Sequence, residues 1–169
     1  AINVSPLQIR LPGFVALVTR LAARAGADPA RYEIELTETA LLADGPVTAA
    51  NFDALKRLGL TIALDDFGTG YSSLSVLQRF PVDKIKIDRA FVGCMEESAE
   101  SEALVEAIIK LADALDLAVI AEGVETEEQM ARLSALGCHE FQGHLTGLPI
   151  SAAAIETTRL RARRIRRRA

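Results

Sequence analysis

Short apolar segments rich in β-branched residues alternate along the chain with longer segments in which apolar residues recur every three or four positions. The short segments are typical of buried strands, and the longer periodicity is typical of helices that pack through one face. The pattern predicts strands over Ile2 to Val4, Tyr32 to Leu36, Thr61 to Leu64, Lys84 to Ile87, Ala118 to Ala121 and roughly His139 to Gln142. It predicts helices over Phe14 to Ala25, Val47 to Leu58, Ser72 to Arg79, Ser101 to Leu115 and Glu127 to Leu136, with a last helix from about Ala152.

Local signals support the predicted helix ends. Thr126 precedes two glutamates and a glutamine, which is typical of an N-cap with an acidic first turn. Gly59 and Gly137 each follow a helical segment, where a glycine ends the helix by adopting a left-handed conformation.

Strict alternation of strands and helices predicts parallel strands, in either a doubly wound sheet or a (β/α) barrel. Polar residues recur at the strand ends at intervals of 20 to 36 residues, about one βα unit each time. They are Asn3, Glu35, Asp65, Asp66, Lys86, Asp88, Glu122, Glu125 and Gln142. Polar groups that converge from every strand favour the mouth of a barrel, and the glycine fingerprint of a doubly wound dinucleotide fold is absent after the first strand.

The predicted fold class is α/β, an incomplete TIM-like (β/α) barrel of about six βα units. A complete barrel of this type has eight strands and about 250 residues, whereas this chain has 169. We therefore expect about two strands before Ala1. We expect one domain over residues 1–151, followed by a terminal helix and arginine-rich tail over residues 152–169.

Charge is unevenly distributed along the chain. The net charge is -4, but seven arginines lie between Arg159 and Arg168, so the rest of the chain is strongly acidic. Clustered arginines bind nucleic acids through counterion release, or they form a solvated terminus. The second interpretation is favoured because no aromatic residue interrupts the cluster to stack on bases, so no DNA partner is expected.

Two further features concern the cellular compartment. No uncharged apolar run approaches the roughly 18 residues that a membrane span needs, and the two cysteines, Cys94 and Cys138, suit a reducing cytosol better than a disulfide framework. We expect a cytoplasmic protein, or the cytoplasmic part of a membrane-anchored one.

Asp65 and Asp66 are the strongest chemical signal in the chain. They end an apolar run and precede Gly68 and Gly70, so the turn allows both side chains to serve one site. Carboxylates are the ligands that magnesium, manganese and calcium prefer. The alternative is that they cap the helix that begins near Ser72, although a cap needs only one carboxylate.

Glu35 and Lys86 are predicted to point into the barrel, where a carboxylate needs a metal or a hydrogen bond. Glu35 is a candidate metal ligand, with an ion pair to Lys86 as the alternative. Lys86 stands between two isoleucines, and its ammonium group is predicted to hold a water or a phosphate oxygen. The alternative is that it is a structural partner for the neighbouring carboxylates.

Other candidates carry weaker signals. Glu122 and Glu125 offer a ligand and a general base or orienting group, with surface charge as the alternative. Asn3 and Gln142 are neutral amides that often satisfy backbone groups. The two histidines, His139 and His144, lack the spacing of a zinc site.

Several motifs together resemble the EAL domain of cyclic di-GMP phosphodiesterases. They are INVSP, ELTE, LDDFGTGYSSL, PVDKIKIDRAFV, AEGVET and GCHEFQGHL, and they extend from Ile2 to about Pro149. The resemblance implies a modified (β/α) barrel that binds two divalent cations, Mg²⁺ or Mn²⁺, with Ca²⁺ as an inhibitor. In this family water attacks one phosphodiester bond of the bacterial second messenger and opens it to linear pGpG.

The resemblance also implies roles for individual residues. The implied metal ligands are Asn3, Glu35, Asp65, Asp66 and Glu122. Lys86, Glu122 and Glu125 are implied as catalytic residues, with Lys86 holding the attacking water. Gln142 and Asp88 correspond to substrate-binding residues, and Glu38 to the anchor of the loop from Phe67 to Ser73. The family further implies a homodimer fused to an upstream sensory or GGDEF domain.

Two departures from the family pattern keep alternatives open. The signature Glu-Ala-Leu segment, with its metal-binding glutamate and nearby substrate-binding arginine, is absent, and Leu148 stands where the family often has a basic residue. The leading hypothesis is a phosphodiesterase whose activity needs that segment. The alternatives are a non-catalytic cyclic di-GMP receptor and an inactive fragment that acts as a dimerisation or interaction module.

Overall fold

The computed structural model describes residues 1–38, 40, 45–68, 77 and 79–155. Its strands are β1 (Ile2–Asn3), β2 (Glu33–Thr37), β3 (Thr61–Phe67), β4 (Lys84–Ile87), β5 (Ala118–Glu122) and β6 (Glu140–Gln142). Its helices are α1 (Pro6–Ile9), α2 (Phe14–Ala25), α3 (Pro46–Arg57), α4 (Arg89–Cys94), α5 (Ala99–Ala114) and α6 (Glu127–Ala135), with a 3-10 turn at Pro29–Arg31.

The six predicted strands are confirmed to within a few residues at each end. Residues 152–155 are helical, where the last helix is predicted to start. Most of the predicted helix from Ser72 to Arg79 and the arginine-rich tail lie outside the described residues. The structure adds α1, α4 and the 3-10 turn, which are too short to produce a helical period in the sequence.

All six strands are parallel and form one sheet in sequence order, β1-β2-β3-β4-β5-β6. A doubly wound sheet reverses its strand order at a switch point, so the sequential order supports the incomplete barrel. Within the described ranges β1 pairs only with β2 and β6 only with β5, and the sheet is therefore open.

The two faces of the sheet differ in chemistry because successive side chains point to opposite sides of a strand. The helix-facing side is apolar, with at most 1% exposure at Ile34, Leu36, Ile62, Leu64, Ile85 and Ile87. Alternate positions on the other side, the inner face of the barrel, carry polar groups such as Glu35 and Lys86. The alternation thus places the core between sheet and helices, and the charged residues on the concave side.

Helix ends follow the predicted signals. Thr126 caps α6 by accepting a hydrogen bond from the Gln129 N–H, and the Gln129 side-chain oxygen accepts one from the Thr126 N–H in a capping box. Gly59 and Gly137 lie just beyond α3 and α6 with φ of 86° and 101°. These glycines turn the chain back toward the next strand.

Candidate functional site

An irregularity at the end of β3 places two adjacent carboxylates in one site. A regular strand would send Asp65 and Asp66 to opposite faces. Instead Asp66 has a left-handed backbone with φ of 55°, and the register with β4 shifts between Leu64 and Phe67. As a result, carboxylate oxygens of Asp65, Asp66 and Glu122 all lie within 4.8 Å of one another.

Lys86 lies at the centre of this site. Its Nζ is 3.0 Å from Glu35 Oε1, 2.9 Å from Asp65 Oδ1 and 2.6 Å from Glu122 Oε1. The lysine side chain is only 5% exposed. The predicted inward orientation of Lys86 and its pairing with Glu35 are therefore both present, and Lys86 of β4 links β2, β3 and β5.

The electrostatics of the site favour bound cations. Burial raises the pKa of Glu122, and Asp65 and Glu35 raise it further, against the opposing effect of Lys86. Burial also raises the pKa of Asp66, together with the charge of Asp65 and a hydrogen bond with Asp88. Excess negative charge among closely spaced carboxylates is the arrangement that a divalent cation relieves.

Burial lowers the pKa of Lys86, but hydrogen bonds to Glu122, Asp65 and Glu35 outweigh that effect and hold the pKa above the ordinary lysine value. The ammonium group is therefore charged at neutral pH. One positive charge faces the carboxylates of Glu35, Asp65, Asp66 and Glu122. This donor set consists of hard oxygen ligands, so the residues present fit a hard divalent cation.

The other predicted residues surround this centre. Asn3 is the register partner of Glu35 on the exposed edge strand β1, and it makes none of the hydrogen bonds around Lys86. Asp88 contributes to the raised pKa of Asp66 and also caps α4, accepting a hydrogen bond from the Ala90 N–H at 2.7 Å. Glu38 is buried directly after β2, and the loop that it is predicted to anchor lies outside the described residues beyond Gly68.

Glu125 and Gln142 lie on an exposed rim. Glu125 Oε1 is 3.8 Å from His144 Nδ1, and Gln142 ends β6, with its backbone oxygen accepting from the Val124 N–H at 3.1 Å. Beside them a cavity of about 450 Å³ adjoins Glu122. Its lining includes Arg89, which the sequence prediction did not include.

Two glycines that the sequence prediction also missed allow the close approach of these segments. A Cβ on Gly143 would lie 2.2 Å from the Val124 carbonyl oxygen, and a Cβ on Gly123 would lie 2.5 Å from Arg89 Cβ. Each glycine directly follows a predicted site residue, Glu122 or Gln142. An isolated glycine at the end of a strand is a signal for close backbone contact, and that signal was available in the sequence.

Comparison with known families matches residues 1–149 to the EAL domain. The chain belongs to the EAL domain family. An uncharacterized signaling protein of Caulobacter vibrioides is 45% identical over 155 residues, 92% of this chain and 19% of that protein. The bifunctional diguanylate cyclase/cyclic di-GMP phosphodiesterase MucR of Pseudomonas aeruginosa is 40% identical over 90% of this chain and 22% of its own. The cyclic di-GMP phosphodiesterase PdeR of Escherichia coli is 38% identical over 92% of this chain and 24% of its own.

Solved structures agree with this assignment of the EAL domain. The MucR phosphodiesterase in complex with cyclic di-GMP aligns with a TM-score of 0.85 at 38% identity, over 90% of this chain and 62% of that one. BlrP1 of Klebsiella pneumoniae, solved with cyclic di-GMP and calcium or manganese, aligns with a TM-score of 0.77 at 36% identity, over 84% and 36%. This EAL domain thus spans about a fifth of the length of its curated relatives.

None of the helices in the part of the EAL domain that the structure describes has the length and apolar content needed to cross a membrane.

Proposed function

We propose that this EAL domain hydrolyses cyclic di-GMP to linear pGpG with water activated by two divalent cations. The observation that carries the proposal is the group of carboxylates from Asp65, Asp66 and Glu122 within 4.8 Å of one another on the inner face of the sheet. Relatives named cyclic di-GMP phosphodiesterases, including PdeR and MucR, support the choice of substrate.

Each residue has a place in this reaction. Glu35, Asp65, Asp66 and Glu122, together with Asn3, would hold the cations. Bound cations lower the pKa of water and stabilise the attacking and leaving oxygens of a phosphodiester. We propose Mg²⁺ or Mn²⁺ as activators and Ca²⁺, with its looser coordination geometry, as an inhibitor. The manganese and calcium complexes of BlrP1 support divalent binding at this kind of site.

The remaining groups position the reactants. Lys86 would hold the attacking water or a phosphate oxygen, and its charged ammonium group between Asp65 and Glu122 supports this role. From its position on the rim, Glu125 would act as a general base or as a group that orients the residues of the site. Gln142 and Asp88 would contact the nucleotide, and Asp88 also caps the start of α4.

Full activity is proposed to need the Glu-Ala-Leu segment of the family, which supplies a further metal-binding glutamate and is absent from these 169 residues. The experiment that tests this requirement compares the turnover of this chain with that of a version extended upstream by its own coding sequence.

The decisive measurement is chromatographic separation of cyclic di-GMP and pGpG after incubation with Mn²⁺ or Mg²⁺. The extended protein is expected to form pGpG, and the 169-residue chain to be about a hundredfold slower because it lacks one carboxylate ligand. Asp65→Asn in the extended protein is expected to abolish turnover. Robust turnover by the short chain would contradict the need for the segment, and near-normal turnover by Asp65→Asn would remove that residue from the metal site.

The proposed setting is a homodimer within a longer signalling protein in the cytoplasm. Exposed apolar side chains on α2, such as Leu17 and Leu21, lie along an apolar groove beside β1 and support self-association. The greater length of the relatives supports fusion to sensory or GGDEF domains. Cys94 and Cys138 are free thiols, which suits a reducing compartment. Light scattering at several protein concentrations tests the dimer.

A further inference from the structure

The cavity beside Glu122 is open, sizeable and mixed in charge. It has a volume of about 450 Å³ and is lined among others by Arg89, Glu122, Glu125, Gln142, His144 and Leu148. Glu122 lines this cavity and also belongs to the carboxylate cluster, which is the set of Asp65, Asp66 and Glu122 beside Lys86. A substrate whose phosphate lies at the carboxylate cluster would therefore extend into this cavity.

Arg89 is the permanent cation of this lining. The acidic groups Glu122 and Glu125 share the cavity with it, and both repel an anionic ligand. Arg89 is exposed and makes no ion pair within the part of the chain that the structure describes. By contrast, Arg132 of the neighbouring helix α6 lies 3.7 Å from Glu102. The Arg89 guanidinium is therefore charged, exposed and available to bind an anion.

Two neighbours hold Arg89 at this position. Gly123 has φ of 69°, and a Cβ there would lie 2.5 Å from Arg89 Cβ. The glycine therefore leaves room for the arginine stem directly beside Glu122. Asp88 accepts a hydrogen bond from the Ala90 N–H at 2.7 Å and so holds the backbone on either side of Arg89.

We propose that Arg89 binds the phosphate of the cyclic dinucleotide that is not cleaved. This assignment rests on the proposed function, in which the phosphate that is cleaved lies at the carboxylate cluster. A guanidinium group matches a phosphate through two parallel hydrogen bonds. It would offset the repulsion that Glu122 and Glu125 exert on the second negative charge of the substrate.

The test measures cyclic di-GMP binding by isothermal titration to the upstream-extended protein in Ca²⁺, where turnover is expected to be blocked. Arg89→Gln is expected to raise the Kd about tenfold through loss of a charge-assisted contact. Arg89→Lys, which keeps the charge, is expected to recover part of the affinity. Arg20→Gln on the exposed surface of α2 makes the same change of charge and is expected to bind normally.

A second ligand separates phosphate from base recognition. Guanosine carries the same base and no phosphate, so its Kd is expected to be equal for Arg89→Gln and the unmodified protein. Equal weakening of both ligands, or no change for cyclic di-GMP, would overturn the assignment of Arg89. Absence of cyclic di-GMP binding by the unmodified protein would instead overturn the proposed function and this inference with it.

Discussion

Lys86 keeps together carboxylates that would otherwise repel one another across three strands. Its partners Glu35, Asp65 and Glu122 have side chains only 10%, 16% and 18% exposed, so water screens their charges poorly. Because the pKa of Lys86 is raised, its stabilising effect is complete at neutral pH. That effect is lost only as the pH rises through the raised value, since a raised pKa means that the folded state holds the proton more tightly.

Lys86→Met is expected to lower the free energy of unfolding by about 3 kcal/mol, because three largely buried carboxylates lose their counter-charge. Urea denaturation at pH 7 in a chelator measures this change. The control is Lys110→Met, which removes an exposed helical ion pair with Glu106 and is expected to cost less than about 0.5 kcal/mol. Equal losses in the two variants would contradict the central position of Lys86.

Backbone hydrogen bonds between the loops after β5 and β6 hold the rim of the site together. Gln142 accepts from the Val124 N–H at 3.1 Å, and the Leu145 N–H donates to the Val124 carbonyl at 3.1 Å. Gly143 lies between these two hydrogen bonds in sequence. The loop after β6 can therefore approach the loop after β5 only if residue 143 has no side chain.

Gly143→Ala is expected to destabilise the protein by about 2 kcal/mol or more, because the added Cβ would meet the backbone of Val124 and that backbone must shift. Gly93→Ala is the matched control. Gly93 lies within α4, and a Cβ there has no neighbour within 4 Å, so alanine is expected to stabilise by about 0.5 kcal/mol. Thermal unfolding of both variants checks the opposite signs, and a neutral Gly143→Ala would exclude the close contact.

At the scale of the whole molecule, the open sheet separates an apolar side packed against helices from a charged concave side. Four carboxylates face one lysine on the concave side, and a cation that binds there stabilises the folded state by mass action. This coupling gives a measurement of metal binding that does not depend on turnover.

Mn²⁺ is expected to raise the melting temperature of this chain, with a stabilisation of about 2.7 kcal/mol at a hundredfold excess over Kd. Asp66→Asn is expected to lose most of that gain, since asparagine tolerates the left-handed backbone but removes the charge. Asp116→Asn is the control, because Asp116 is exposed and has a similar φ of 57°. Equal Mn²⁺ shifts in the two variants would place the metal away from Asp66.

Much of the molecule follows from local sequence. A period of two places Glu35 and Lys86 on the side of the sheet opposite Ile34 and Ile85, and the recurrence of such groups at strand ends predicts that they converge. The motifs around Asp65 and Glu122 also identify the family. The orientation of these side chains is readable because it depends on residues only two to four positions apart along one element, and their recurrence is readable because it repeats once per βα unit.

The sequence predicted that Asp65 and Asp66 share a site and allowed the Glu35–Lys86 pair, whereas the tertiary structure alone decided how these groups make contact. Asp66 joins Asp65 because its backbone is left-handed where the register with β4 shifts, and Asp88 caps α4 while it also raises the pKa of Asp66. Arg89 and Gly123 meet although 34 positions separate them. Such contacts depend on register between strands and on the space that a missing side chain leaves, and periodicity within one element carries no information about either.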